Sequence, residues 1–149
     1  MDIVDRKILE LLASSGRMTL AELAKTTGLS SPGVSDRIKR LEKQGLILSY
    51  TIKTDPVTAG YGLLCFIEVC LDKESDRRSF LDVVYSLPEV LECHHATGDS
   101  DYLLKVRCKD TSRLEQIITG ELKAKTPGIK TKTTIILSTV KEKFSPFEE

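Results

Sequence analysis

The sequence predicts an α+β protein in two parts, a group of three short helices followed by strands and helices in the order βαββαβ. Three observations lead to this prediction. Apolar residues recur at helical spacing in three consecutive segments before residue 46. After residue 62, four β-prone segments alternate with two amphipathic ones. The chain has 149 residues, enough for two small domains, and 40% of them are apolar, which is typical of a globular protein with a packed core.

The first two predicted helices precede residue 27. Asp2 is the expected N-cap of the first, because its carboxylate can accept a bond from a free backbone N–H. The apolar face of this helix follows at helical spacing: Val4, Ile8, Leu11 and Leu12. The second helix is expected over residues 20–26, with an apolar side formed by Leu20, Leu23 and Ala24.

A tight turn is predicted between the second helix and the third. Gly28 can adopt a positive φ angle there, and Leu29 can reach the core. Ser30 or Ser31 then caps the third helix, with Pro32 in the first turn, where a missing N–H does no harm. Its apolar face is formed by Val34, Ile38 and Leu41, and Gly45 ends it. Two helices joined by a short glycine-containing turn match the helix-turn-helix pattern of DNA-binding proteins.

The outer face of the third helix indicates its role. Short polar groups come first and long cations later, a division suited to reading base edges and then phosphates. We therefore expect eight residues to contact double-stranded DNA: Ser31, Pro32, Ser35, Asp36, Arg37, Lys39, Arg40 and Lys43. The alternative is a solvated amphipathic helix in a three-helix bundle, since charged outer faces are common.

Residues 46–54 alternate loosely and are β-prone, which predicts the wing of a winged helix-turn-helix. Asp55-Pro56 and the glycines Gly60 and Gly62 interrupt this pattern. We therefore expect a DNA-binding domain over residues 1–54, a linker over 55–62 and a second domain over 63–149.

The second domain is predicted to contain four strands and two helices. The expected strands cover residues 63–71, 91–98, 101–108 and 131–140, and the expected helices cover 75–87 and 111–122. This order is the ferredoxin-like arrangement. Both faces of the first strand are largely apolar and two helices can cover only one, so the uncovered face predicts at least a dimer. Residues 144–149 are expected to fray.

The distribution of charge bears on the partners of the chain. Net charge is zero, but residues 1–55 carry nine basic side chains against seven acidic ones, and residues 56–149 carry thirteen against fifteen. A local basic patch can bind phosphates even where the domain is nearly neutral. No apolar stretch approaches the ~20 residues of a membrane span, and no basic and apolar leader opens the chain, so we expect a cytoplasmic protein.

A metal site, a cofactor or an enzyme is not expected. The four cysteines (Cys65, Cys70, Cys93 and Cys108) show neither C-x-x-C spacing nor a histidine at finger distance, so reduced, buried thiols are the simpler interpretation. The run Cys93-His94-His95 suggests a metal or catalytic centre, but neighbouring residues of a strand point to opposite faces. Phosphate-cradling loops and nucleophile motifs are missing from the sequence.

Two sets of residues carry a family resemblance. The N-terminal set is Asp2-x-x-Asp5-x-x-Ile8-Leu9-x-x-Leu12, Leu23-Ala24, Gly28-Leu29-Ser30 and Val34-x-x-Arg37-Ile38-x-Arg40-Leu41-Glu42-x-x-Gly45-x-Ile47. The C-terminal set is Thr97-Gly98-Asp99-Ser100-Asp101-Tyr102-Leu103-Leu104 and Pro127-Gly128-Ile129. In this order and spacing the chain resembles the Lrp/AsnC (feast/famine) family of transcriptional regulators over essentially its whole length. Ser100 stands where that family commonly has an aromatic residue.

The resemblance implies a sequence-specific transcriptional regulator. Such proteins form dimers through the sheet, the dimers assemble into higher rings that are often octamers, and many members respond to an amino acid bound between dimers. Carried over position by position, the effector site comprises Gly98, Asp99, Ser100, Asp101 and Thr133. A glycine turn exposes N–H groups to a carboxylate, and an acidic side chain can pair with an ammonium. A plain hairpin turn is the alternative for this site, and a DNA-packaging protein without an effector is the alternative for the function.

Overall fold

The computed structural model describes residues 1–72 and 76–148. The chain divides into two compact units. One unit comprises Met1–Lys53 together with the C-terminal residues from Val140, and the other comprises Thr54–Thr139. Each unit has its own cluster of buried apolar side chains.

The first unit contains the three predicted helices, α1 (Ile3–Ser14), α2 (Leu20–Thr27) and α3 (Ser31–Lys43). Asp2 caps α1 as expected, since its Oδ1 accepts a bond from the Asp5 N–H at 2.8 Å, and the Asp2 N–H donates to Asp5 Oδ2 at 3.0 Å. Thr19 and Glu22 form the same reciprocal cap on α2. The cap of α3 is Ser30, whose Oγ accepts from the Gly33 N–H at 3.2 Å.

The turn between α2 and α3 has the predicted conformation. Gly28 has a φ of 72° and ends α2, and Leu29 packs partly buried against the helical core. The core of the unit consists of Ile8, Leu9, Leu23, Ala24, Val34 and Leu41. Leu20, expected on the buried side of α2, is exposed instead. The turn and the core together hold α3 with one face outward.

The β-strand expected at the wing is not formed. Residues 46–54 adopt no strand, because no segment among the described residues of this unit pairs with them. Leu48 and Ile52 are 89% and 79% exposed. Tyr50 nevertheless anchors the segment, since its hydroxyl donates to Glu42 Oε1 at 2.9 Å. Burial and this carboxylate raise the pKa of Tyr50 to about 12.

The C-terminal tail differs from its expectation. Phe147 packs against the helical core of the first unit, and the Lys53 Nζ lies 5.5 Å from the centre of the Phe144 ring. Phe147 is therefore packed, although we expected the tail to fray, and the residues from Val140 belong to the first unit, although we expected them in the second domain. The reason is that the large apolar ring of Phe147 is partly buried by packing against the helices.

The second unit is built on a four-stranded sheet. Its strands are β1 (Leu63–Cys70), β2 (Val90–His95), β3 (Tyr102–Cys108) and β4 (Lys130–Ile135), in the spatial order β2-β3-β1-β4. All three neighbouring pairs are antiparallel, which confirms the ferredoxin-like arrangement. The second and fourth strands end earlier than expected: residues 96–98 belong to a turn, and residues 136–140 form no strand.

Two helical segments cover one face of the sheet. The first is α4 (Arg77–Ser86); Ser75, where we expected it to begin, lies outside the described residues. The second begins as α5 (Thr111–Glu115) and continues as a π-helical segment, Gln116–Lys123. Ile117 and Leu122 are both fully buried and five residues apart, a spacing that suits the i→i+5 turn of a π-helix and not the α-helix we expected.

The sheet residues that face these helices form the main core. In β1 they are Cys65, Ile67 and Val69, all fully buried, and in β3 they are Tyr102, Leu104, Val106 and Cys108. Phe80 of α4 lies 4.9 Å from the Tyr102 ring, centre to centre. No helix in the described part of the chain is both long and apolar enough to cross a membrane.

Candidate functional site

The outer face of α3 is the first candidate site. Val34 and Leu41 are fully buried on the inner side of the helix. The predicted DNA-contacting residues lie outside this core: Pro32, Asp36, Lys39, Arg40 and Lys43 are exposed, and Ser31, Ser35 and Arg37 are half-buried. The structure thus places five of the eight on the exposed side of α3 and three, Arg37 among them, at the edge of the core. Contact with DNA by these residues stays a prediction.

Two of these cations are already engaged within the protein. Arg37 Nη1 donates to Asp2 Oδ2 at 2.6 Å and to Asp5 Oδ1 at 2.7 Å. Arg40 Nη2 donates to both carboxylate oxygens of Asp5, at 2.8 and 2.9 Å. Both arginines are therefore bound to the start of α1, whereas Lys39 and Lys43 have no ion pair within the described residues.

Asp5 is the centre of this network. Its side chain is only 4% exposed, although it carries a charge. Burial favours the neutral form, but the Asp2 N–H and the two arginines outweigh this effect and hold the pKa of Asp5 below its usual value. The bond from Arg37 lowers the pKa of Asp2 to about 2, and the two carboxylates raise the pKa of Arg37. Asp2, Asp5 and Arg37 are therefore ionised at neutral pH.

Sequence reasoning did not find this role of Asp5. Two features of the sequence indicate this pairing: an aspartate in the first turn of α1, and two arginines three residues apart on α3. Because 32 and 35 residues separate the partners, no local periodicity links them.

The turn between β2 and β3 is the second candidate site. The Ala96 N–H donates to the Asp101 carbonyl at 2.9 Å, and the Asp101 N–H donates to the Val69 carbonyl at 2.8 Å. Asp101 Oδ2 in turn accepts the Leu71 N–H at 2.7 Å. These bonds fasten the turn to the end of β1. Asp101 therefore holds the turn in place, a role that we did not expect.

The tip of the turn has free polar groups. Gly98 has a φ of 119°, a region that disfavours other residues, and a Cβ built there meets no atom within 4 Å. Within the described residues, the backbone N–H groups of Gly98, Asp99 and Ser100 have no acceptor. The carboxylate of Asp99 is exposed, and only its backbone carbonyl is bonded, by the Cys70 thiol at 3.2 Å. Donors and a carboxylate are thus accessible within three residues.

Thr133 does not join this turn. It pairs with Ile67 in the middle of β1, whereas the turn meets β1 at Val69, which pairs with Thr131. Strand β1 also separates β4 from the strands that the turn connects. Within this chain the structure brings together the four predicted residues of the turn, and Thr133 lies apart from them.

The two histidines occupy opposite faces of β2, as expected. His94 pairs with Leu103 and its Nε2 lies 3.0 Å from Glu92 Oε2, while His95 pairs with Tyr102 and its ring lies 5.1 Å from the Tyr102 ring. Burial raises the pKa of Cys93. In residues 1–72 and 76–148, no cluster of three side chains suitable for a metal ion occurs.

Known family models match both parts of the chain. The model of winged helix-turn-helix DNA-binding domains matches residues 1–47, and the model of the Lrp/AsnC ligand binding domain matches residues 64–146. The chain is 37% identical to the leucine-responsive regulatory proteins of Klebsiella pneumoniae and Escherichia coli K12, over 95% of this chain and 88% of each relative.

Solved structures are similar over nearly the full length. A transcriptional regulator of Neisseria meningitidis, crystallised as an L-Met complex, superposes with a TM-score of 0.92 at 31% identity, covering 97% of this chain and 95% of that one. The structure of Escherichia coli AsnC superposes with a TM-score of 0.88 at 31% identity, covering 96% of both chains. With both domain models matched in order, this chain belongs to the Lrp/AsnC family of DNA-binding transcriptional regulators.

Proposed function

We propose that the chain regulates transcription by placing α3 in the major groove and by responding to an amino acid bound at the turn of residues 98–101. The observation that supports the first part is the composition of the outer face of α3. It presents small polar groups at its N-terminal end and the unpaired cations Lys39 and Lys43 towards its C-terminal end. A helix that follows a helix-turn-helix turn contacts base edges with its first residues.

The salt dependence of binding tests the DNA assignment. Lys39→Ala or Lys43→Ala should weaken binding to a mixed-sequence duplex and lower the slope of log K against log salt by about one unit each. The matched control is Lys123→Ala, which removes an exposed lysine from the second unit. Ser35→Ala should change which sequences are selected from a random library. Wild-type slopes for both α3 variants would contradict the assignment of α3.

The amino-acid effector is supported by the chemistry of the turn. Free N–H groups at Gly98, Asp99 and Ser100 suit a carboxylate, and the exposed Asp99 carboxylate suits an ammonium. The similar Neisseria meningitidis regulator was crystallised with L-Met. Since Asp101 is bound to Leu71, we assign the ammonium partner to Asp99.

Calorimetry with each common amino acid tests the effector site. The wild-type protein should bind at least one of them, and Asp99→Asn should weaken that binding by about tenfold or more, as expected for one charge-assisted hydrogen bond. Glu115→Gln is the matched control, because it removes an exposed carboxylate from α5. Binding of no amino acid by the wild-type protein would instead favour a DNA-packaging protein without an effector.

Self-association completes the proposal. The face of the sheet away from the helices carries Phe66 and Leu103, with ion pairs at its sides between Glu68 and Lys132 and between Glu92 and Lys105. This partly apolar face supports a dimer, and the family resemblance supports an octamer. Light scattering should give at least a dimer for the wild type, and Phe66→Asp should give a smaller species. A wild-type monomer at micromolar concentration would contradict it.

A further inference from the structure

The network around Asp5 distinguishes two kinds of cation on α3: arginines that are bound to α1 and lysines that are not. Four hydrogen bonds reach its carboxylate: Arg37 to Oδ1, Arg40 to both oxygens, and the Asp2 N–H to Oδ2. Release of Arg40 would leave a carboxylate that is 4% exposed with fewer donors, and an underbonded buried charge is costly. Arg40 itself remains 49% exposed and lies among the basic residues of α3.

We infer that Asp5 is a positioning residue of the DNA-binding unit that withholds Arg40 from DNA phosphates and thereby limits non-specific binding. The inference rests on the proposed placement of α3 in the groove. The phosphate backbone attracts any free cation regardless of sequence. With Arg37 and Arg40 held by α1, the outer face of α3 offers Lys39 and Lys43 to this attraction instead of four cations. Asp5 thus lowers the share of the DNA affinity that comes from phosphate contacts and raises the share that comes from base contacts.

Asp5→Asn gives the main test. An amide lacks the charge that holds Arg40, whereas Arg37 keeps its 2.6 Å bond to Asp2. One cation should therefore be freed, so the salt slope on a mixed-sequence duplex should steepen by about one unit. Between about 50 and 200 mM salt, the affinity should therefore fall by an additional factor of roughly four. The preference for a duplex selected by the wild-type protein should fall at the same time.

The control variants distinguish this role from a merely structural one. Glu10→Gln removes an acid from the same helix that pairs with Arg6 and Lys7, and should leave the slope unchanged. Asp5→Glu keeps the charge and should restore the wild-type slope. The double variant of Asp5→Asn with Arg40→Gln should return to the wild-type slope. A purely structural role would lower the midpoint of thermal unfolding of Asp5→Asn and weaken all DNA binding without a steeper slope, which would overturn the inference.

A second variant keeps the test valid if Asp5→Asn does not fold. Arg40→Gln in the wild-type background should change the slope by much less than one unit, because Arg40 makes no phosphate contact. A loss of about one unit would show that Arg40 binds a phosphate and would overturn the inference. Lys39→Ala measured alongside separates the two hypotheses. If both Lys39→Ala and Arg40→Gln lower the slope, α3 contacts DNA as proposed, and only the inference about Asp5 is wrong.

Discussion

Asp101→Ala should loosen the turn of the candidate effector site even when no ligand is bound. The carboxylate of Asp101 accepts the Leu71 N–H at 2.7 Å, and the Asp101 N–H donates to Val69 on the same strand end. Alanine keeps the backbone bond to Val69 and removes the one to Leu71. The Leu71 N–H then loses its acceptor at a partly buried position.

The magnitude follows from the type of bond. A hydrogen bond between a neutral N–H and a carboxylate contributes about 2 kcal/mol. That corresponds to roughly a 30-fold increase in the opening constant of the Leu71 amide. Asp101→Asn retains an acceptor of the same shape without the charge, so it should cost about half as much.

Native-state hydrogen exchange of the Leu71 amide is the measurement. Exchange at Leu71 should speed up in Asp101→Ala and much less in Asp101→Asn. Asp99→Ala is the matched control, since the Asp99 side chain makes no hydrogen bond to any of the described residues, and Leu71 should stay protected there. If Leu71 exchanges at the wild-type rate in Asp101→Ala, the carboxylate does not fasten the turn and our reasoning is wrong.

Three other perturbations test the cores and the charges. Phe80→Ala empties a fully buried site against Tyr102 and should cost about 4 kcal/mol in urea unfolding, and a cost below about 1 kcal/mol would contradict the packing. Gly28→Ala must adopt a φ of 72° and should cost about 1–2 kcal/mol, whereas Gly16→Ala, without a positive φ, should cost less. Because the folded pKa of Asp2 lies at about 2 and below its ordinary value of 3.8, its stabilising contribution is complete above pH 3.8 and is lost as the pH falls towards 2. Acid titration of Asp2→Asn should therefore show a flatter loss of stability over that interval, and an unchanged curve would rule out the pair with Arg37.

Features set by neighbouring residues could be predicted from the sequence. The cap at Asp2 and the positive φ of Gly28 each depend on a few adjacent positions, and both occur as expected. The order βαββαβ followed from alternating periodicities, and the pairing of the four strands confirms it. Strand β1 also shows the two-residue period of a strand, because residues 65, 67 and 69 share the buried side.

Features set by distant residues could not be predicted. The outer position of Arg40 suggested a phosphate contact, but its partner Asp5 lies 35 residues earlier in the chain. The sequence around Phe147 predicts a frayed tail, but the structure packs this ring against the helical core. The β-prone residues 46–54 lack a strand because strand formation requires a partner, and propensity does not supply one.

The candidate effector site shows the same division. The positive φ of Gly98 and the unpaired N–H groups follow from the local turn sequence. The use of Asp101 by Leu71 depends on how the turn meets another strand, so the two carboxylates of one short segment acquired different roles. The sequence alone does not distinguish the roles of these two aspartates.

The packing of Phe147 on the helical core makes the second unit an insertion into the first, and this has a consequence for folding order. Closing a flexible loop over residues 54–139 would cost about 4 kcal/mol in chain entropy. The pairing of β1 with β4 brings Cys65 opposite Ile135, so the folded sheet already holds its incoming and outgoing segments side by side. Once the sheet has formed, docking of the Phe147 ring on the helices is therefore a short-range event. A tag fused after Phe147 should accordingly affect the stability of the helical unit more than that of the sheet.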